Sequence, residues 1–168
     1  MAPAAPHPNA DRIARFYAAF AALDAEGMAA LYAPDARFAD EVFTLEGRDA
    51  IMAMWSMLCE SARANGADAW RLEASDIAAD ATQGSAYWQA WYRFSATGRD
   101  VHNRIRARFT FGPDGLVVEH RDSFDFWAWS RQALGAPGLL LGWTPFLRAK
   151  VRAQAAARLD AWRAKAGR

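Results

Sequence analysis

Between Ala86 and Trp127 three long stretches are rich in β-branched and aromatic residues, and only short turns separate them. Thr97-Gly98-Arg99 divides Ala86–Ser95 from Val101–Phe111, and Gly112-Pro113-Asp114-Gly115 divides the latter from Leu116–Trp127. Turns this short leave no room for a crossover, so consecutive strands must run antiparallel. Trp70–Ile77 supplies a further strand before the break at Gly84. Upstream, the period changes to that of helices. Asn9 is placed to cap a helix carrying Ile13, Phe16, Tyr17 and Phe20, which ends near Gly27. A second short helix bears Met28, Leu31 and Tyr32 and stops at Pro34. Arg37–Phe43 alternates as a strand with Phe38, Asp40 and Val42 on one face, and Gly47-Arg48 leads into a helix with Ile51, Met54, Trp55 and Leu58 on one stripe. The order helix, helix, strand, helix, strands predicts an α+β domain with helices packed on one face of a curved antiparallel sheet.

The segment Val117–Trp127 also carries the best chemical lead. On a strand, Val118, His120, Asp122, Phe124 and Phe126 share one face. An imidazole and a carboxylate on an otherwise apolar face are costly to bury unless they are paired or used. Asp122 and His120 are therefore a candidate functional pair, His120 tuning Asp122. The plainer reading is a structural pair that only satisfies itself. Hydrophobic residues make up 53% of the chain, with eight Trp and ten Phe, enough rings to fill a core or line an apolar pocket. Tyr17, Trp55, Trp88, Tyr92, Asn103, Phe109 and Phe124 are the candidate ligand-binding residues, plain core being the alternative. Arg104, Arg106 and Arg108 fall on the opposite parity with Glu119, Arg121 and Asp125, where cross-strand ion pairs or a dimer surface account for them.

Composition removes several classes. No apolar run approaches the ~20 residues of a membrane span. Three His and one Cys suggest neither a metal site nor an internal disulfide, and no cofactor motif is present. A cytoplasmic setting is the natural expectation. The net charge of +1 divides unevenly: from Thr144 onward seven Lys/Arg face the single acid Asp160, leaving the first 143 residues at −5. An acidic body argues against nucleic acid as its partner. Residues 1–8 read as a disordered lead-in, 9–134 as one domain, and 135–168 as an apolar loop followed by a basic helix capped by Thr144 with Pro145 at its first position. Three roles suit that tail: a lid built from Leu139–Trp143, a contact with a second subunit, or, ranked last, docking on an anionic membrane.

Leu31-Tyr32-Ala33-Pro34-Asp35-Ala36-Arg37-Phe38-Ala39-Asp40, then Leu45-Glu46-Gly47-Arg48-Asp49-Ala50-Ile51, then the hairpin Asp114–Asp122, occur in an order that resembles the nuclear-transport-factor-2-like superfamily. Ketosteroid isomerases, SnoaL-like polyketide cyclases and limonene-epoxide hydrolases belong to it. The resemblance covers roughly residues 9–130. It implies a cone-shaped curved sheet wrapped around N-terminal helices (the cystatin-like α+β barrel), an apolar cavity and a homodimer. Asp40 matches the isomerase general base, whereas the isomerase's donor positions fall on Phe16 and near Ala107. Asp122 matches the acid/base aspartate of the cyclases; the hydrolase's Arg and second Asp are missing from Ala86-Tyr87-Trp88-Gln89-Ala90. The resemblance thus implies a cofactor-independent enzyme of isomerase, cyclase or hydrolase type. Asp122 would move a proton on a hydrophobic cyclic substrate, with His120 as partner and Asp40 as second carboxylate. A non-catalytic binding protein holding an apolar ligand in the same cavity remains the alternative.

Overall fold

The computed structural model describes residues 5–167. The lead-in expected over residues 1–8 therefore lies partly outside the described residues. Helix α1 spans Pro8–Ala21, with proline in its first turn and the His7 ring accepting the Asn9 amide at 3.2 Å. Asn9, expected as the cap, is instead buried and donates its side-chain amide to the Asp80 carbonyl at 2.9 Å. The first helix also ends earlier than Gly27. Leu23 adopts φ 57°, and Asp24 caps the short helix α2, Ala25–Ala29.

Tyr32, expected on that second helix, opens strand β1, Tyr32–Ala39. Its Pro34 sits where the pairing with the neighbouring strand shifts register, between Tyr32 and Arg37, the kind of irregularity that tolerates a residue with no amide hydrogen. A turn at residues 40–43 leads to β2, Thr44–Glu46, and Gly47 (φ 87°) then turns the chain into α3, Arg48–Ala64. Strands β3 (Arg71–Ala79), β4 (Gln83–Arg93), β5 (Asp100–Phe111) and β6 (Val117–Ser123) follow. The sheet is open, in the order β2-β1-β6-β5-β4-β3. Every neighbouring pair is antiparallel except β1–β6, which is parallel. This is the curved α+β sheet that the sequence predicts, with α1 and α3 on its inner face. Ile13, Phe16, Phe20, Met54 and Trp55 pack there against Phe38, Trp88 and Phe109.

The last strand is shorter than expected. Asp125 accepts the Ala128 amide at 3.0 Å and caps α4, Phe126–Leu134, so Phe126 and Trp127 are helical. Part of the segment read as an apolar loop is also helical, as α5, Ala136–Leu141. Thr144 then caps α6, Pro145–Ala166, with Pro145 at its start as expected. On the outer sheet face Arg104, Arg106 and Arg108 are exposed. The register sets Arg108 opposite Arg121 and Arg106 opposite Ser123, so the expected cross-strand ion pairs do not form among the described residues. Aromatic faces are used instead: Arg106 lies over Tyr87 at 6.0 Å and Arg71 over Trp91 at 4.5 Å. No helix among the described residues is long and apolar enough to cross a membrane.

Candidate active site

Strand register builds the site. On β6, His120 lies between Phe38 of β1 and Phe109 of β5, and Asp122 lies beside Ala107. The small Ala107 leaves space over Asp122, whereas rings close over His120 on every side. Phe109 is 4.3 Å from the imidazole by centroids, Phe38 5.0 Å, Phe16 5.9 Å and Trp55 6.3 Å. His120 is 1% exposed and Asp122 3%. Burial this deep demands a partner for each polar atom.

Those partners form a directed chain. Trp55 Nε1 donates to Tyr32 Oη at 3.1 Å. Tyr32 Oη is 2.7 Å from His120 Nδ1, and His120 Nε2 is 2.9 Å from Asp122 Oδ1. An indole can only donate, so the tyrosine oxygen accepts from it and the phenol hydrogen goes to Nδ1. The imidazole hydrogen then sits on Nε2 and donates to the aspartate. Burial holds the Tyr32 phenol well above its usual pKa, with the Asp122 charge adding to the effect and the Trp55 hydrogen bond opposing it, which keeps the hydroxyl a donor. Every donor in the series therefore points toward Asp122. Asp122 Oδ2 has no hydrogen-bond partner among the described residues, and the residue lines a cavity of about 310 Å³.

Asp40 lines the same cavity. It stands in the turn after β1, where its Oδ1 accepts the amides of Val42 (2.7 Å) and Phe43 (2.6 Å). Burial pushes its carboxyl up to about 6; the two amide bonds pull it down, while Asp122 and Glu41 push it further up. One void thus holds two carboxylates in unlike settings, one served by an imidazole and one by a backbone turn.

Of the remaining candidates, Trp55, Trp88, Tyr92, Asn103 and Phe124 line the cavity. Tyr92 also accepts a hydrogen bond from Trp129 Nε1 at 2.9 Å, and burial pushes its phenol up to about 12. Tyr17 and Phe109 do not line it. Phe109 packs against His120, and Tyr17 is wedged between the edge of Phe16 and the ring of Trp88. The Tyr17 hydroxyl and the Trp88 indole N–H are buried without a hydrogen-bond partner among the described residues. His120 stands behind Asp122 and does not line the void. Among the described residues no group of three or more His, Cys, Asp or Glu could hold a metal ion.

Two contributions escaped sequence reasoning. Tyr32 was hidden by the bulge at Pro34, which breaks the alternation linking it to Ala36 and Phe38; those two residues were the available signal. The other is the cover. Leu139–Trp143 do not close the mouth: Leu139, Leu140 and Trp143 are 53%, 67% and 70% exposed, and none of them lines the cavity. Helix α6 does so instead, through Val151, Gln154, Ala155 and Arg158, joined by Trp129 and Leu134 of α4. Long side chains pin α6 at the rim. Arg148 pairs with Glu41 (3.0 Å), Arg152 donates to Thr44 Oγ1 (3.1 Å), Arg158 to Ser95 Oγ (2.7 Å), and Trp162 Nε1 to Glu60 (2.8 Å).

No curated protein sequence matches the chain. Among solved structures, a protein from Jannaschia sp. CCS1 assigned as a SnoaL-like polyketide cyclase superposes with TM-score 0.65 at 15% identity, covering 82% of this chain and 98% of that one. TerC co-crystallised with polyporic acid gives TM-score 0.63 at 18% identity, over 76% of this chain and 99% of its own. The epoxide hydrolase/cyclase-like enzyme SalBIII, described for pyran ring formation in the polyether salinomycin, gives 0.57 at 14%, over 70% and 90%. At such identities the likeness is one of fold. The profile of the SnoaL-like domain matches residues 13–120, from the first turns of α1 to His120 on β6, and the chain belongs to that SnoaL-like family.

Proposed function

We propose that this protein is a SnoaL-like proton-transfer enzyme of isomerase, cyclase or hydrolase type, acting on a hydrophobic cyclic substrate in the α6-covered cavity. The observation that carries the reading is the donor chain Trp55–Tyr32–His120 ending on a carboxylate whose second oxygen faces the void. A series of hydrogen bonds all running one way stabilises charge on its last acceptor. Asp122 is then the base, and His120 positions it. In the step proposed, Asp122 Oδ2 takes a hydrogen from a carbon next to a carbonyl. The C–H electron pair becomes a carbon–carbon double bond as the carbonyl π pair moves to oxygen. Asp40, in the fraction that keeps its proton at a pKa of about 6, donates a hydrogen bond to the enolate oxygen. The enolate is reprotonated at another carbon or attacks a second carbonyl to close a ring. Fold neighbours named for polyketide cyclisation and pyran formation are in keeping with a cyclic substrate.

The test uses hydrogen exchange, because it needs only the first half of that reaction. Wild type is expected to accelerate deuterium incorporation next to the carbonyl of 2-tetralone in D2O, followed by proton NMR. Asp122→Asn keeps an oxygen for the His120 donor, so it should fold while losing on the order of 100-fold in exchange rate. Equal rates for the two proteins would sink the reading. Binding of the ketone without exchange would leave a carrier of hydrophobic ligands, the second reading from the sequence.

A further inference from the structure

We infer that the ligand of this cavity is an amphiphilic anion whose acidic head group is held at the mouth by Arg158, with its ring system on the apolar wall below. The inference rests on the cavity being a ligand site, but not on the chemistry proposed for Asp122. Two guanidiniums line the void, Arg93 and Arg158. Arg93 is occupied: it pairs with Asp100 at 3.4 Å and donates to the Asn65 carbonyl at 3.5 Å. Arg158 donates to a neutral hydroxyl, Ser95 Oγ, and no carboxylate among the described residues pairs with it. Elsewhere on the same helix Arg148 has its acid, Glu41. Around Arg158 the lining adds further neutral polar groups, Ser61 and Gln154.

The rest of the lining fixes the orientation of the ligand. Its acids are Asp40, in the turn after β1, and Asp122 on β6, whereas Arg158 meets Ser95 just past β4. Along α6, Arg148 pairs with Glu41, the neighbour of Asp40, and Arg158 lies ten residues further on, about 15 Å at the helical rise. An acidic group is repelled from the first end and attracted to the second. Between them Phe20, Trp55, Trp88 and Phe124 offer rings and no charge. Helix α6, which carries Arg158, also lies outside the 13–120 match to the family.

A matched pair of fluorescent probes tests the inference. 8-Anilinonaphthalene-1-sulfonate and N-phenyl-1-naphthylamine share one ring system and differ by a sulfonate. Wild type is expected to bind the sulfonate more tightly. Arg158→Gln should weaken the sulfonate about tenfold and the neutral probe less than twofold, and Arg158→Lys should recover part of the loss. Lys150→Gln removes an exposed cation from the same helix outside the void and should change neither by more than about twofold. Ala155→Trp fills the cavity and should abolish binding of both. The inference is overturned if Arg158→Gln weakens both probes alike or neither, if the sulfonate still binds Ala155→Trp, or if wild type binds neither probe. Asp122→Asn removes a repelling charge and should leave the preference for the sulfonate in place or raise it. Loss of exchange alone would therefore strike the catalytic reading, and loss of discrimination alone would strike this one.

Discussion

The inner and outer ends of the cavity are held by opposite means. Inside, Tyr32, His120 and Asp122 are buried beneath Phe16, Phe38, Trp55 and Phe109, each with a defined hydrogen-bond direction. At the mouth, α6 buries only Leu147 and Leu159 fully and is otherwise fastened by polar side-chain tips such as those of the exposed Arg148 and the half-buried Arg152. Polar bonds deep in a low-dielectric core are strong and unforgiving, whereas contacts bathed in water are individually weak. The contrast teaches a division of labour: rigid placement where a proton is to be moved, and an easily released cover where a ligand must pass.

The largest effect that could break this comparison belongs to His120→Ala, which leaves the Tyr32 hydroxyl hydrogen without an acceptor and buried Asp122 without its donor, and opens a hole among the rings. We expect a loss of about 3–5 kcal/mol by urea denaturation. A loss under about 1 kcal/mol would mean the inner end is not the rigid one. Next comes Tyr32→Phe, which strands the Trp55 donor and the Nδ1 acceptor together, at about 2 kcal/mol in the same assay.

Asp40 gives a result of opposite sign. Its folded pKa of about 6 exceeds the usual carboxyl value of 3.8, so its protonation stabilises the fold fully below about pH 4. That contribution is lost as the pH rises through 6. Asp40→Asn can still accept the Val42 and Phe43 amides but does not titrate. The variant should match wild type near pH 4 and exceed it by about 2 kcal/mol at pH 7, read from denaturation curves across that range. A constant difference at all pH values would contradict the assignment. Smallest is Arg148→Ala at the rim, expected to cost less than about 1 kcal/mol while speeding amide exchange in the first turns of α6. Unchanged exchange there would show that the cover is held by something other than its pins.

Much of the inner end is legible in residue order. Alternation along β6 places His120 and Asp122 on one inward face, and the stripe on α3 places Trp55 inside. Tyr32 is not legible, because Pro34 suggests the end of a helix, and only the shifted β1–β6 register reveals that a strand accommodates it. The outer end is hardly legible at all. An apolar run at Leu139–Trp143 looks more like a cover than the alanine-rich α6 does. Which of the two spans the opening depends on where α4 and α5 steer the chain, and the cap Asp125 that ends β6 and starts α4 reads equally well as one more strand residue.

The indole at the head of the inner hydrogen-bond series has a consequence for isotope fate. Trp55 has one hydrogen to offer and no lone pair to receive another, so the series is a blind alley. A hydrogen captured by Asp122 has no rear exit to bulk solvent and must go back to the bound molecule or out beneath α6. With the cover shut, a substrate labelled at the reacting carbon should therefore carry part of its own deuterium into product even in ordinary water. Complete washout in a single turnover would point to a leak through the wall.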